Sequence, residues 1–181
     1  NQHLPVLERN IDLALVSHPD AKTFTAYSTI LERFKVQQFL WGEEIPTSRT
    51  AQDLAGALQD LQIQTGILTA GQQVDCGDGV VLEKYVLEKT GISFLLTYGD
   101  FRFFLLEEED FNGENLQLID EAVMLVRPGL DLEEMELTWQ PQVIIHHEYQ
   151  PEEVPGHLST QKTGRIEIIT DGKQMWMLGE R

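Results

Sequence analysis

Cysteine is almost missing from this chain of 181 residues. Cys76 stands alone, so no intramolecular disulfide can form. A reducing setting, the cytoplasm, is therefore expected. Basic residues are scarce as well. Thirteen Lys and Arg face thirty Asp and Glu, a net charge of −17 at pH 7. Phosphate backbones and anionic membranes repel such a surface, so nucleic acid is expected to be met only indirectly and a membrane surface not at all. No apolar run approaches the roughly 18 residues that span a bilayer. The N-terminus shows no basic stretch followed by an apolar core, so no signal peptide is expected. A P-loop, a dinucleotide fingerprint, a nucleophile elbow and a paired-Cys motif are all lacking.

What the chain does have is an ordinary globular balance, 41% hydrophobic and 24% charged residues. Its length is that of one domain, and it can bury a core without a disulfide or a metal. The first third carries the helical signals. Ile11, Leu13 and Leu15 alternate as in a strand over Asn10–Ser17. Phe24, Tyr27, Ile30, Leu31 and Phe34 then recur at helical spacing behind Asp20, a residue suited to cap them. Val36–Trp41 reads as extended and stops at Gly42. Thr50 and Asp53 resemble a capping box ahead of a second apolar stripe at Ala51, Leu54, Ala55, Leu58 and Leu61.

From Ile67 onward the texture is that of strands. Gly71, Gly77 and Gly79 punctuate an expected loop. Three strands follow, Val80–Glu88, Ile92–Tyr98 and Phe101–Leu106, the last two joined by Gly99-Asp100 in the manner of a type II′ hairpin. Further strands are expected within Leu116–Val126 and over Val143–Tyr149, Arg165–Thr170 and Gln174–Leu178, the last pair joined by a turn at Asp171-Gly172. Helices grouped before strands point to an α+β fold: a single domain over 1–181, helix-rich over 1–66 and strand-rich over 67–181, with N-terminal helices packed on a mostly antiparallel β-sheet, a meander.

Four groups of residues are candidates for a site. Glu107, Glu108, Glu109 and Asp110 form the densest run of charge, which suits docking on a basic partner as well as a plain solvated face. His146, His147 and Glu148, with His157 nine residues on from Glu148, supply metal-ligating side chains. Neighbouring side chains of a strand point to opposite faces, so His146 pairs with Glu148 and not with His147, and His157 must fold back to join them. Without that return they are ordinary sheet histidines, and no cofactor is expected. Asp75-Cys76-Gly77-Asp78-Gly79 holds two acids and two glycines but lacks the ligand series of a calcium loop, and reads as a tight turn. The aromatics Tyr85, Phe94, Tyr98, Phe101, Phe103 and Phe104 lack the surrounding bases of a nucleic-acid stacking platform and read as packing residues.

Three segments, Phe39–Glu44 (FLWGEE), Leu95–Phe111 (LLTYGDFRFFLLEEEDF) and Thr163–Gly172 (TGRIEIITDG), resemble a small accessory subunit of type III-D CRISPR effector complexes. The resemblance implies a non-catalytic protein in antiviral defence. Its acidic surface would meet the basic surfaces of larger RNA-binding subunits, and no catalytic residue would be carried over. The composition and the absent motifs point the same way, to an accessory protein working by protein–protein contact. The alternatives are a small metal-dependent enzyme built on the histidine region and a carrier that holds a small ligand under a curved meander.

Overall fold

The computed structural model describes residues 9–17, 21–87, 91–106, 122–126, 141–147 and 155–180. The chain divides into two compact units, Asn1–Thr69 and Ala70–Arg181.

The first unit alternates strand and helix: β1 (Asn10–Val16), α1 (Ala21–Arg33), β2 (Lys35–Trp41), α2 (Arg49–Asp60) and β3 (Gln64–Ile67). Its strands lie in the order β1-β2-β3, and both pairings are parallel, with Leu15 opposite Leu40 and Trp41 opposite Ile67. A helix between successive strands carries the chain back to the starting edge, which makes the pairing parallel. The apolar stripes of both helices close over this sheet. Phe24 and Tyr27 of α1, Ala51, Leu54 and Leu58 of α2, and Ala14, Val16, Val36, Phe39 and Trp41 of the strands form one core. Its rings meet tilted or edge-on, Phe39 and Trp41 with centroids 5.2 Å apart, the geometry that the ring quadrupoles favour. The Tyr27 hydroxyl donates to the Leu15 carbonyl, and burial raises its pKa above the ordinary 10.0.

The expected arrangement needs correction here. The N-terminal helices pack on their own parallel three-stranded sheet and not on a mostly antiparallel one. Polar β3 (QTGI) carries no strand alternation and is a strand through its pairing with β2 alone. The cap of α2 also differs. Ser48, in an extended conformation, accepts from the Ala51 N–H at 3.4 Å, so the helix starts ahead of Thr50. Asp53 faces Arg49 at 3.9 Å instead of reaching back to the cap.

The second unit contains β4 (Gln73–Gly77), β5 (Val80–Leu87), β6 (Gly91–Tyr98), β7 (Phe101–Leu106), β8 (Val123–Val126), β9 (Val143–His146), β10 (His157–Ser159), the short helix α3 (Thr160–Thr163), β11 (Arg165–Thr170) and β12 (Met175–Glu180). Seven strands make one sheet in the order β10-β9-β8-β7-β6-β5-β4. The sheet is mixed. Neighbours from β4 to β7 run antiparallel, and those from β7 to β10 run parallel. A largely antiparallel sheet is therefore not what forms. Parallel strands in the middle of a sheet are covered on both faces and lose their alternation. That is the pattern of β8 (VMLV) and β9 (VIIH), whose residues are nearly all buried.

Each face of this sheet has its own core. On one lie Leu95, Phe104, Leu106, Met124, Val126 and Ile144. On the other lie Val123, Val143 and Ile145, and the inward residues Ile166, Ile168, Met175 and Met177 of the antiparallel hairpin β11–β12 pack there. That hairpin is tied to the β6–β7 turn. Gly99, at φ +58°, lies so close to the Asp171-Gly172 turn that a Cβ there would stand 2.5 Å from the Gly172 carbonyl oxygen. The Asp100 N–H donates to that same oxygen at 2.6 Å.

Candidate functional site

The histidine region is built by the parallel pairing of β9 and β10. Register places His157 opposite Ile144 and Ser159 opposite His146. Side chains alternate along each strand, so His146 and His157 fall diagonally on one face. Their ring centroids are 5.8 Å apart and the rings stand nearly perpendicular, at 68°. His146 is 3% exposed and His157 half-buried. His147 is exposed, and its Nδ1 lies 2.9 Å from the Thr160 hydroxyl at the start of α3. His146, at the end of β9, is thus buried, and His147, one residue past that end, is exposed. The return of His157 comes from a strand of only three residues, and nothing in its local sequence signals the pairing. Glu148 lies outside the described residues. Among those described, no three His, Cys, Asp or Glu side chains are grouped so as to hold a metal ion.

Glu107, Glu108, Glu109 and Asp110 also lie outside the described residues. The described carboxylates can be placed, and none of them is buried. The buried polar or charged residues are Lys84, Ser93, His146 and Ser159. Glu32, Glu44, Asp60, Asp78 and Asp100 all stand exposed.

The glycine-rich loop resolves into the edge strand β4 and a turn. The Asp75 carboxylate accepts from the Gly77 N–H at 2.9 Å, and Asp78 takes φ +52°. Asp75 is thus engaged by its own backbone, as a tight turn requires. Cys76 is exposed. Partial burial raises its thiol pKa, the Asp75 charge adds to the rise, and a backbone hydrogen bond involving Leu82 opposes it. That environment is the reverse of one that activates a nucleophilic thiol. The meander aromatics are core residues: Phe94 and Phe104 are fully buried, and Phe101 and Phe103 pack against Val123, Val143 and Ile145.

One surface went unseen in the sequence. The outward residues of hairpin β11–β12 include Ile169 opposite Trp176, with Leu178 two places further along β12. These three are 46%, 48% and 55% exposed. The signal was legible in principle: Met175-Trp176-Met177-Leu178 of β12 is apolar at inward and outward positions alike, where a surface strand alternates.

Comparisons follow from the fold. No family model matches the chain, and no curated protein matches it. Among solved structures it is similar to a mutant of the CmlA β-hydroxylase, with a TM-score of 0.53 and 13% identity over 77% of this chain and 37% of that one. It is likewise similar to CmlA, a diiron β-hydroxylase from Streptomyces venezuelae, at a TM-score of 0.51 and 13% identity over 77% and 36%. The chain thus spans little more than a third of the length of CmlA, and the likeness is one of fold.

Proposed function

We propose that this protein is a non-catalytic binding protein that docks through its acidic surface on a larger, basic protein partner. A partner that itself holds nucleic acid, as the RNA-binding subunits of a CRISPR-type effector complex do, presents such a face. The observation that carries the reading is the placement of the acids: a chain of net charge −17 in which none of the described carboxylates is buried. Charge arranged in that way contributes little to the fold. It speeds encounter with a surface of opposite sign and selects against acidic competitors. The run Glu107–Asp110 is its densest stretch.

The test is affinity purification from the native source at low and at high salt, followed by binding measurements with Glu107, Glu108, Glu109 and Asp110 all changed to Lys. The reading expects a defined set of basic partners lost at high salt. It also expects the variant to bind more weakly, with a shallower dependence on salt. An affinity and a salt slope unchanged by the reversal would remove it.

A second reading has its own observation, the two imidazoles 5.8 Å apart on one sheet face. It makes the protein metal-dependent, with His146 and His157 as ligands and Glu148 as a third. The similar CmlA is described as a diiron enzyme, but the described residues do not fit such a centre, because no group of three ligating side chains occurs among them. Metal content of freshly purified protein separates the readings. Stoichiometric zinc, iron or manganese that is lost in both His146→Ala and His157→Ala would favour the second.

A further inference from the structure

Hairpin β11–β12 has two apolar faces, and only one is accounted for. Inward, Ile166, Ile168, Met175 and Met177 pack on the seven-stranded sheet. Outward, Ile169, Trp176 and Leu178 form a contiguous exposed patch, because Ile169 and Trp176 are direct cross-strand neighbours and Leu178 follows on the same side. A half-exposed Trp flanked by two branched aliphatics marks a contact surface more than an ordinary solvated sheet face.

The charge around the patch says what fits it. Residues 160–181 contain four bases, Lys162, Arg165, Lys173 and Arg181, and three acids, Glu167, Asp171 and Glu180. This stretch is therefore +1, and the remaining 159 residues carry −18 of the net −17. A strongly basic partner finds no net negative charge in this stretch to neutralise. An acidic partner would be repelled by the rest of the molecule. A surface of low net charge that carries both signs fits best, and the chain carries one: this same patch. Arg165 and Glu167, paired at 2.6 Å, lie on the outward side with Ile169. One face thus holds both signs beside its apolar centre, the self-complementarity that a two-fold contact needs.

We propose that the outer face of hairpin β11–β12 is the contact between two copies of this chain, packed sheet to sheet about a two-fold axis with Trp176, Ile169 and Leu178 at its centre. Salt acts on this contact in the opposite sense to its action on docking to a basic partner. Two bodies of −17 repel one another outside the patch, and salt screens that repulsion over a Debye length of about 8–10 Å near physiological strength. Dimerisation therefore strengthens as salt rises, while docking on a basic partner weakens.

Sedimentation velocity on the full chain, across a wide range of protein concentration and at low and high NaCl, tests this. A monomer–dimer equilibrium is expected, shifted towards dimer by salt. Trp176→Ser with Leu178→Ser is expected to raise the dissociation constant about tenfold or more, the scale of losing one central hot-spot residue. Ile169→Lys is the sharper variant. It lowers the magnitude of the net charge, which favours association on electrostatic grounds, and yet it is expected to weaken the dimer because it breaks the apolar centre. Its site is exposed, so an unchanged circular dichroism spectrum confirms that the fold persists. Reversal of Glu107–Asp110 is expected to leave the dimer intact, which keeps this proposal separable from the docking reading. A monomer at every concentration and salt would overturn it, as would a dimer indifferent to Trp176, Leu178 and Ile169.

Discussion

Replacing Gly99 with Ala should cost clearly more than replacing Gly71 with Ala, and the difference can be worked out from the turn that Gly99 occupies. Both glycines take positive φ, +58° and +72°. A side chain at either one pays the left-handed penalty, about 1–2 kcal/mol, and both changes reduce the freedom of the unfolded chain alike. They differ in their surroundings. Around Gly71 a new Cβ meets nothing within 4 Å, while at Gly99 it would stand 2.5 Å from the Gly172 carbonyl oxygen. That separation is far inside contact distance, so one turn must move. Moving it breaks the bond from the Asp100 N–H to the Gly172 oxygen, worth about 0.5–1.5 kcal/mol. Gly99→Ala should therefore destabilise the second unit by about 1–3 kcal/mol more than Gly71→Ala. Urea unfolding followed by circular dichroism reads both variants in the same unit. Equal losses would refute the claim that the two turns are locked together.

Leu58→Ala should lower the stability of the first unit by about 2–5 kcal/mol, because Leu58 is fully buried between α2 and the parallel sheet; a loss under about 1 kcal/mol would mean that the site is not packed. Asp75→Asn should speed alkylation of Cys76 near neutral pH, since the Asp75 charge is one cause of the raised thiol pKa. The rate profile against pH should move to lower pH. A profile that stays in place would show that partial burial alone sets the thiol.

Several elements were readable from local pattern. The stripe from Phe24 to Leu31 is α1, which ends just before Phe34, and the stripe from Ala51 to Leu58 is α2, with Leu61 past its end and exposed, because an amphipathic helix announces its buried face at a period of 3.6. The strands around Gly99-Asp100 stand as expected from alternation and turn chemistry. The misses share one cause. β3, polar and only four residues long, exists because β2 offers it an edge. β8 and β9 were expected as strands but not as parallel ones, and apart from His146 they are apolar because both their faces are covered. The switch from antiparallel to parallel pairing at β7 depends on where the chain re-enters the sheet, a property of no local window.

The candidate sites divide in the same way. Charge is additive over the chain, so the acidity and the scarcity of bases were determined by composition alone. Tertiary structure decided that His157 comes beside His146, that the described carboxylates stay at the surface, and that one face of hairpin β11–β12 is covered while the other, with Trp176, is left bare. The physical reason is that proximity and burial come from pairing between segments distant in the chain, here β9 with β10 and the hairpin with the seven-stranded sheet, while charge and periodicity are properties of each segment by itself.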